Sequence, residues 1–252
     1  MIRTLAAAAV VLITGCKGDG SGPKLDGVDR SDGTVPELRV VRGKPVAIDG
    51  KSDDAVWKSA ASTGAFVHPA DGKPRSSSKV NAEARLAYDD DALYLLLEVY
   101  DSEPSSPFAR DDVDPHIWSR ASGIELMLQP GDRADNRNYF EVQVDVAGAV
   151  WDTRFDDYNR PITGPKGNKR FGHQDWSARL ERAVARDSDR YTVELALPWV
   201  AFEGVSAPTT GQVWKANLYS FRDGQRDSLS WSPILGKGNF HRASRFGRLR
   251  FE

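Results

Sequence analysis

Five stretches of this chain alternate apolar and polar side chains with a period of two, and that pattern constrains the fold more than any other feature. Leu93, Leu95, Leu97 and Val99 alternate with Tyr94, Leu96, Glu98 and Tyr100. Ile124, Leu126 and Leu128 alternate with Glu125, Met127 and Gln129, and Phe140, Val142, Val144 and Val146 with Glu141, Gln143 and Asp145. Tyr191, Val193, Leu195 and Leu197 alternate with Thr192, Glu194 and Ala196, and Trp214, Ala216 and Leu218 with Lys215, Asn217 and Tyr219. A strand turns successive side chains to opposite faces, so each run reads as a strand with one face in a core. Turn-forming clusters separate the runs, among them Pro130-Gly131-Asp132, Ala147-Gly148 and Arg222-Asp223-Gly224. Helical periodicity is nearly absent; one short turn is predicted at residues 53–57, with Asp53 as its N-cap. The pattern predicts an all-β domain, a sandwich or barrel. Two long connections, residues 101–121 and 152–175, are candidate functional loops.

The start of the chain reads as an address. Arg3 is followed by an apolar run of about ten residues, half the ~20 needed to span a bilayer. It fits the apolar region of a secretory signal peptide. The run ends Ile13-Thr14-Gly15-Cys16, which resembles a bacterial lipobox, so Cys16 is the expected lipidation site. Lys17 follows where Asp would favour inner-membrane retention, and the expected location is the cell envelope, anchored in the outer membrane of a Gram-negative bacterium. The predicted organisation is a signal peptide at 1–15, a lipidated Cys and flexible tether at 16–37, and one domain at 38–252.

Composition removes several classes. Lys plus Arg number 34 and Asp plus Glu 36, a near balance that argues against nucleic acid as partner. With four His and one Cys, a His/Cys zinc cluster and a disulfide scaffold are excluded. No Gly-x-Ser-x-Gly or His-Glu-x-x-His motif occurs, and the acidic residues single out no catalytic pair by spacing. The expectation is therefore no enzyme and no obligatory cofactor. A structural calcium ion remains open, with Asp111, Asp112 and Asp114, or Asp152, Asp156 and Asp157, as hard oxygen ligands.

Several segments taken in order resemble family 9 carbohydrate-binding modules. Ile48 to Trp57 resembles their opening and Ala84 to Tyr94 their first hairpin. Ile117-Trp118 before Ile124 to Leu128, Tyr191 to Trp199, and Ser230 to Pro233 with Phe240 and Arg245 to Leu249 complete the set. The resemblance implies an antiparallel β-sandwich of about ten or eleven strands, related to the DOMON superfamily and of immunoglobulin-like jelly-roll type. It implies non-catalytic binding of a mono- or oligosaccharide, or of a polysaccharide end. In the family, two aromatics sandwich the sugar, and these map to Trp118 and Phe240. The acid maps to Glu125, the polar residue of the next strand to Gln143, and a strand amide to Asn217.

The residue types suit that chemistry. Aromatic faces match the C–H faces of a pyranose, a carboxylate accepts from neighbouring hydroxyls, and an amide both donates and accepts. Trp118 and Phe240 fall in loops, whereas Trp57, Trp151, Trp176, Trp199, Trp214 and Trp231 read as core. The other readings weighed are an envelope lipoprotein with a structural or interaction role, a glycoside-active enzyme, and a haem-binding relative using Met127 and loop histidines.

Overall fold

The alternating runs become strands that pack inner face against inner face. The computed structural model describes residues 28–45 and 47–252. The expected signal peptide, Cys16 and the first part of the tether lie outside the described residues. In chain order the strands are β1 (Glu37–Arg42), β2 (Asn81–Tyr88), β3 (Ala92–Tyr100), β4 (Gly123–Gln129), β5 (Arg137–Asp145) and β6 (Val150–Asp157). There follow β7 (Ile162–Thr163), β8 (Lys169–Arg170), β9 (Glu181–Arg186), β10 (Arg190–Pro198), β11 (Val213–Arg222), β12 (Asp227–Ser230) and β13 (Gly247–Phe251). Two short helices, α1 (Ala55–Ser59) and α2 (Ile117–Arg120), complete the set with three 3-10 turns.

Eleven strands build the sandwich, and β7 and β8 form a separate two-stranded ribbon. A front sheet runs β6-β5-β4-β11-β13-β1 with β12 beside β11, and a back sheet runs β1-β2-β3-β10-β9. β1 belongs to both: Glu37 to Val40 pair with β13, and Val41 and Arg42 with β2. Both of these ladders are parallel, while the other strand pairs are antiparallel.

The core between the sheets consists of the residues the alternation singles out. Leu93, Leu95, Leu97, Val193 and Leu195 of the back sheet meet Ile124, Leu126, Val142, Val144 and Leu218 of the front sheet in one cluster. Trp199, Trp214 and Trp231 belong to it as expected, and Trp176 packs against its edge. Trp57 instead joins a smaller cluster on the outer face of the back sheet, under α1. There Glu194 of β10 accepts hydrogen bonds from Trp57 Nε1 at 2.9 Å and from the Asp49 and Gly50 N–H groups at 2.8 and 2.9 Å. α1 starts one residue later than predicted, with Asp54 rather than Asp53 at its N-cap.

Two differences from the sequence pattern matter. Residues 28–36, read as the end of a tether, are docked on the sandwich. The Arg30 guanidinium donates to the carbonyls of Thr63 and Ala65 at 2.9 and 3.2 Å, and Arg245 donates to the Gly33 carbonyl at 2.8 Å. The polar positions of the front sheet are also buried instead of solvated. Glu125, Gln143, Asp145 and Asn217 are each at most 1% exposed, because loops cover that outer face.

Close packing fixes the end of the core. Gly247 opens β13 directly against Trp231, and a Cβ there would overlap the six-membered ring of the indole. Gly247→Ala is expected to lower stability by about 2 kcal/mol through overpacking, read as a lower urea midpoint at unchanged slope.

Candidate functional site

Register lays two rows of side chains across the outer face of the front sheet. Tyr219 lies opposite Glu125, Glu125 opposite Gln143, and Gln143 opposite Trp151. The adjacent row runs Asn217, Met127, Glu141, Thr153. Directly opposed residues project to the same side of a sheet, so both rows face away from the sandwich core. The first row has an aromatic at each end, and each end carries a second ring. Trp118 meets Trp151 edge-on at 4.7 Å between centroids, and Phe240 lies flat on Tyr219 at 3.9 Å. Glu125 and Gln143 occupy the interval between these aromatic pairs. The result is a cleft of about 530 Å³ with a polar floor and aromatic walls.

Loops complete the walls, and local backbone geometry explains how they get there. Gly224 has φ +68°, and a Cβ on it would strike the Trp118 and Ser119 backbone. Only glycine lets this turn close on α2. The turn thereby brings Gln225 over the floor, where its Nε2 donates to Glu125 Oε2 at 3.0 Å. On the other side, Gly172 presses against Thr153 and Phe155 of β6 and leaves no room for a side chain. The segment from β8 to Gln174 therefore walls the cleft, with Tyr158 stacked between His241 at 3.8 Å and Phe171 at 5.1 Å.

The floor is under-bonded. Gln143 Nε2 donates both to Glu125 Oε2 at 3.0 Å and to Glu141 Oε1 at 2.7 Å. Four buried atoms of residues lining the cleft have no hydrogen-bond partner: Glu125 Oε1, Glu141 Oε2, Gln143 Oε1 and Thr153 Oγ1. A buried polar group left unpaired costs about 1–3 kcal/mol, so four in one place mark a surface built to bond something else.

Burial also sets the charge states. It pushes the Glu141 carboxyl up to about 8, and holds Glu125 well above the usual carboxylate range, with Glu141 adding repulsion. Burial lowers the His241 imidazole to about 3, so the ring is neutral at physiological pH. The Tyr139 hydroxyl meets His241 Nδ1 at 2.7 Å. When that hydroxyl donates, His241 carries its own proton on Nε2, 3.8 Å from Glu141 Oε2 across the cleft.

Of the five predicted binding residues, Trp118, Phe240, Glu125 and Gln143 line this one cleft. Asn217 does not. Its Nδ2 donates to the Tyr219 hydroxyl and the Ser232 carbonyl, and its Oδ1 accepts from the Leu218 and Ser232 N–H groups. The amide is fully used in clasping β11 to the segment after β12. Trp151, expected in the core, is buried in a cluster with Ile117 and Phe221 outside the main core, and also forms a cleft wall. Glu141, Thr153, Phe155, Tyr158, Gln225 and His241 were not singled out by sequence. The signal for the first three was present: they share the period-two face of Gln143 and Trp151.

Among the described residues no group of three His, Cys, Asp or Glu side chains is placed to hold a metal. Four of the six carboxylates considered for calcium have other partners. Asp112 accepts from Ala109 N–H, Asp152 from Ala178 N–H, Asp156 pairs with His173 and Asp157 with Arg137. Met127 is fully buried in the aromatic cluster around Tyr139 and Tyr219.

Comparison with known proteins places this architecture in a class of β-sandwich binding modules. The family described as "Carbohydrate family 9 binding domain-like" matches residues 48–252, and the chain belongs to it. Members of that family are non-catalytic. Among solved structures, the chain resembles a family 9 carbohydrate-binding module from Caldicellulosiruptor kristjanssonii in complex with cellotriose (17% identity, 86% of this chain and 93% of that one, TM-score 0.57). It also resembles one from the same organism in complex with glucose (20% identity, 86% and 95% coverage, TM-score 0.52). A protein from Bacteroides uniformis aligns over 87% of this chain and all of its own, at 19% identity and TM-score 0.66. Among curated protein sequences none gives a significant match.

The buried carboxyls predict how stability varies with pH. A carboxyl with a raised value in the fold stabilises below its ordinary value of 4.5 and loses that contribution as pH rises through about 8. His241 acts in the opposite sense, but only between about 3 and 6.5. From pH 6.5 to 8 the ligand-free protein should therefore lose about 2 kcal/mol through Glu141. Urea melts across this range should show the loss, and Glu141→Gln should reduce it, leaving the part that Glu125 contributes.

Proposed function

We propose that this chain binds a carbohydrate in the front-sheet cleft, without catalysis, taking a mono- or oligosaccharide or the end of a polysaccharide. The observation that carries this reading is the floor of four unpartnered buried polar atoms set between aromatic walls. A pyranose supplies what this surface lacks: hydroxyls for the orphaned oxygens, and apolar C–H faces for the rings. In this reading Trp118 and Phe240 bracket the sugar from opposite ends of one cross-strand row. Glu125 Oε1, Glu141 Oε2, Gln143 Oε1 and Thr153 Oγ1 receive its hydroxyls. Asn217 stays out of contact and holds Tyr219 and the segment at Ser232 in place. Family membership and the two neighbouring modules solved with cellotriose and glucose support the reading.

The reading includes an address. Cys16 carries the lipid that anchors the module in the bacterial envelope, in the outer membrane, and the support for this is the sequence Ile13 to Cys16 after an apolar run. A firm anchor follows from more than one acyl chain on a single residue. Expression in a Gram-negative host with a labelled fatty acid should label the wild type and leave Cys16→Ser unlabelled.

The cleft itself is tested by calorimetry against mono- and oligosaccharides. Wild type should bind at least one of them, and Trp118→Ala should weaken that binding about tenfold or more, equivalent to about 1.4 kcal/mol. Absence of binding across the panel, or equal affinity in the variant, would count against the site.

A further inference from the structure

The two carboxyls of the floor differ from the other buried carboxyls of the protein. Glu194 accepts from three N–H donors. Asp145 accepts from the Ala147 and Ala149 N–H groups and from the Ser106 hydroxyl. Asp101 is paired with the Arg222 guanidinium at 3.0 Å, and Asp152 accepts from the Ala178 N–H at 2.8 Å. Glu125 and Glu141 have only side-chain amides, and one of these, Gln143 Nε2, is shared between them. No Lys or Arg among the described residues forms an ion pair with either one.

The amide donors of the floor are thus already used on the carboxyls. What remains open is a set of acceptors: Glu125 Oε1, Glu141 Oε2 and Gln143 Oε1. A neutral hydroxyl brings one donor to such a site, whereas an ammonium brings three and a compensating charge. With no cation beside them the two buried carboxyls keep their protons, and a bound cation compensates the charge they take on when they ionise. The walls agree, since the faces of Trp, Tyr and Phe attract an ammonium as well as C–H groups.

We propose that the saccharide selected by this cleft carries a protonated primary amine, as in a 2-amino-2-deoxy hexose, with the ammonium bridging Glu125 Oε1 and Glu141 Oε2. This rests on the carbohydrate reading and narrows it. The ligand nitrogen repeats, from the cleft side, the bridge that Gln143 Nε2 makes from the protein side. The third ammonium hydrogen faces Gln143 Oε1. Lys169 and Arg170, the cations that line the cleft, stand on the β7–β8 ribbon at its rim, and the Lys169 ammonium lies over the Phe171 ring at 4.9 Å.

Binding is then linked to protons. Around the pair stand Tyr219 on β11, Tyr139 on β5, and Tyr158 and His241 from the loops, and none of these four ionises between pH 6 and 7; His116, stacked on Trp118, also lines the cleft. Burial holds protons on the pair itself, so an arriving ammonium expels proton from it.

Calorimetry on the intact protein at pH 6.5 tests this with glucosamine, N-acetylglucosamine and glucose and their β-1,4-linked oligomers, each in two buffers of different ionisation enthalpy. The amine-bearing ligands should bind at least about tenfold tighter than their N-acetyl and hydroxyl counterparts. Their apparent enthalpy should shift with the buffer, reporting proton release, and Glu141→Gln should shrink the preference. The buffer dependence needs no variant, so it stands even if that substitution disturbs folding. A preference below tenfold, or no proton release with the amine, overturns the amine proposal while leaving carbohydrate binding intact. No binding by any of these saccharides or by the wider panel overturns both.

Discussion

The structure depends on a front sheet that is buried on both faces. Every residue of β4 is buried, the inner ones against the back sheet and the outer ones beneath loops. A strand in that position has no solvent to satisfy its polar side chains, so neighbours must do so. Most of the outer face meets this requirement internally, as Asn217 does with Ser232 and Tyr219. The Glu125–Gln143–Glu141 group meets it only in part. The same burial that makes the sheet rigid therefore creates the unmet bonding capacity of the cleft.

Register converts this into a shaped site. Four strands contribute one residue each to the row Tyr219, Glu125, Gln143, Trp151, so ladder hydrogen bonds fix the order of aromatic and polar groups. Trp118 comes from the short helix α2, not from a loop as expected, and Phe240 from a loop, yet each rests on a strand aromatic, which limits how far either ring strays. Sites supported by sheet elements hold their geometry better than sites made of loops alone.

The strands and inner core were legible in the sequence because a period of two needs no knowledge of pairing. Leu95, Val142 and Val193 could be assigned to the interior from their neighbours alone. Four of the five residues named through ordered resemblance line a single cleft. What could not be read was the fate of the outer face. Glu141 and Asn217 occupy the same row of the same face, and nothing local shows that one opens to a cleft while the other is consumed by Ser232. Trp151 is buried as expected, but its place in the cleft wall could not be read, because a buried indole on an alternating strand looks alike on either side of a sheet. Gln225 was invisible because its position depends on Gly224 closing onto α2, a contact across about a hundred residues of chain.

The double membership of β1 has a mechanical side. Its first residues run parallel with β13 and its last with β2, so one short strand stitches the two sheets together. Ahead of it, Arg30 and Arg245 fasten residues 28–36 to the body. Tension arriving from the N-terminus meets those fastenings first. It then pulls β1 along its own length, loading the hydrogen bonds of both ladders together in shear instead of opening them one at a time. The point where the chain enters the domain is thus a grip that resists being peeled away.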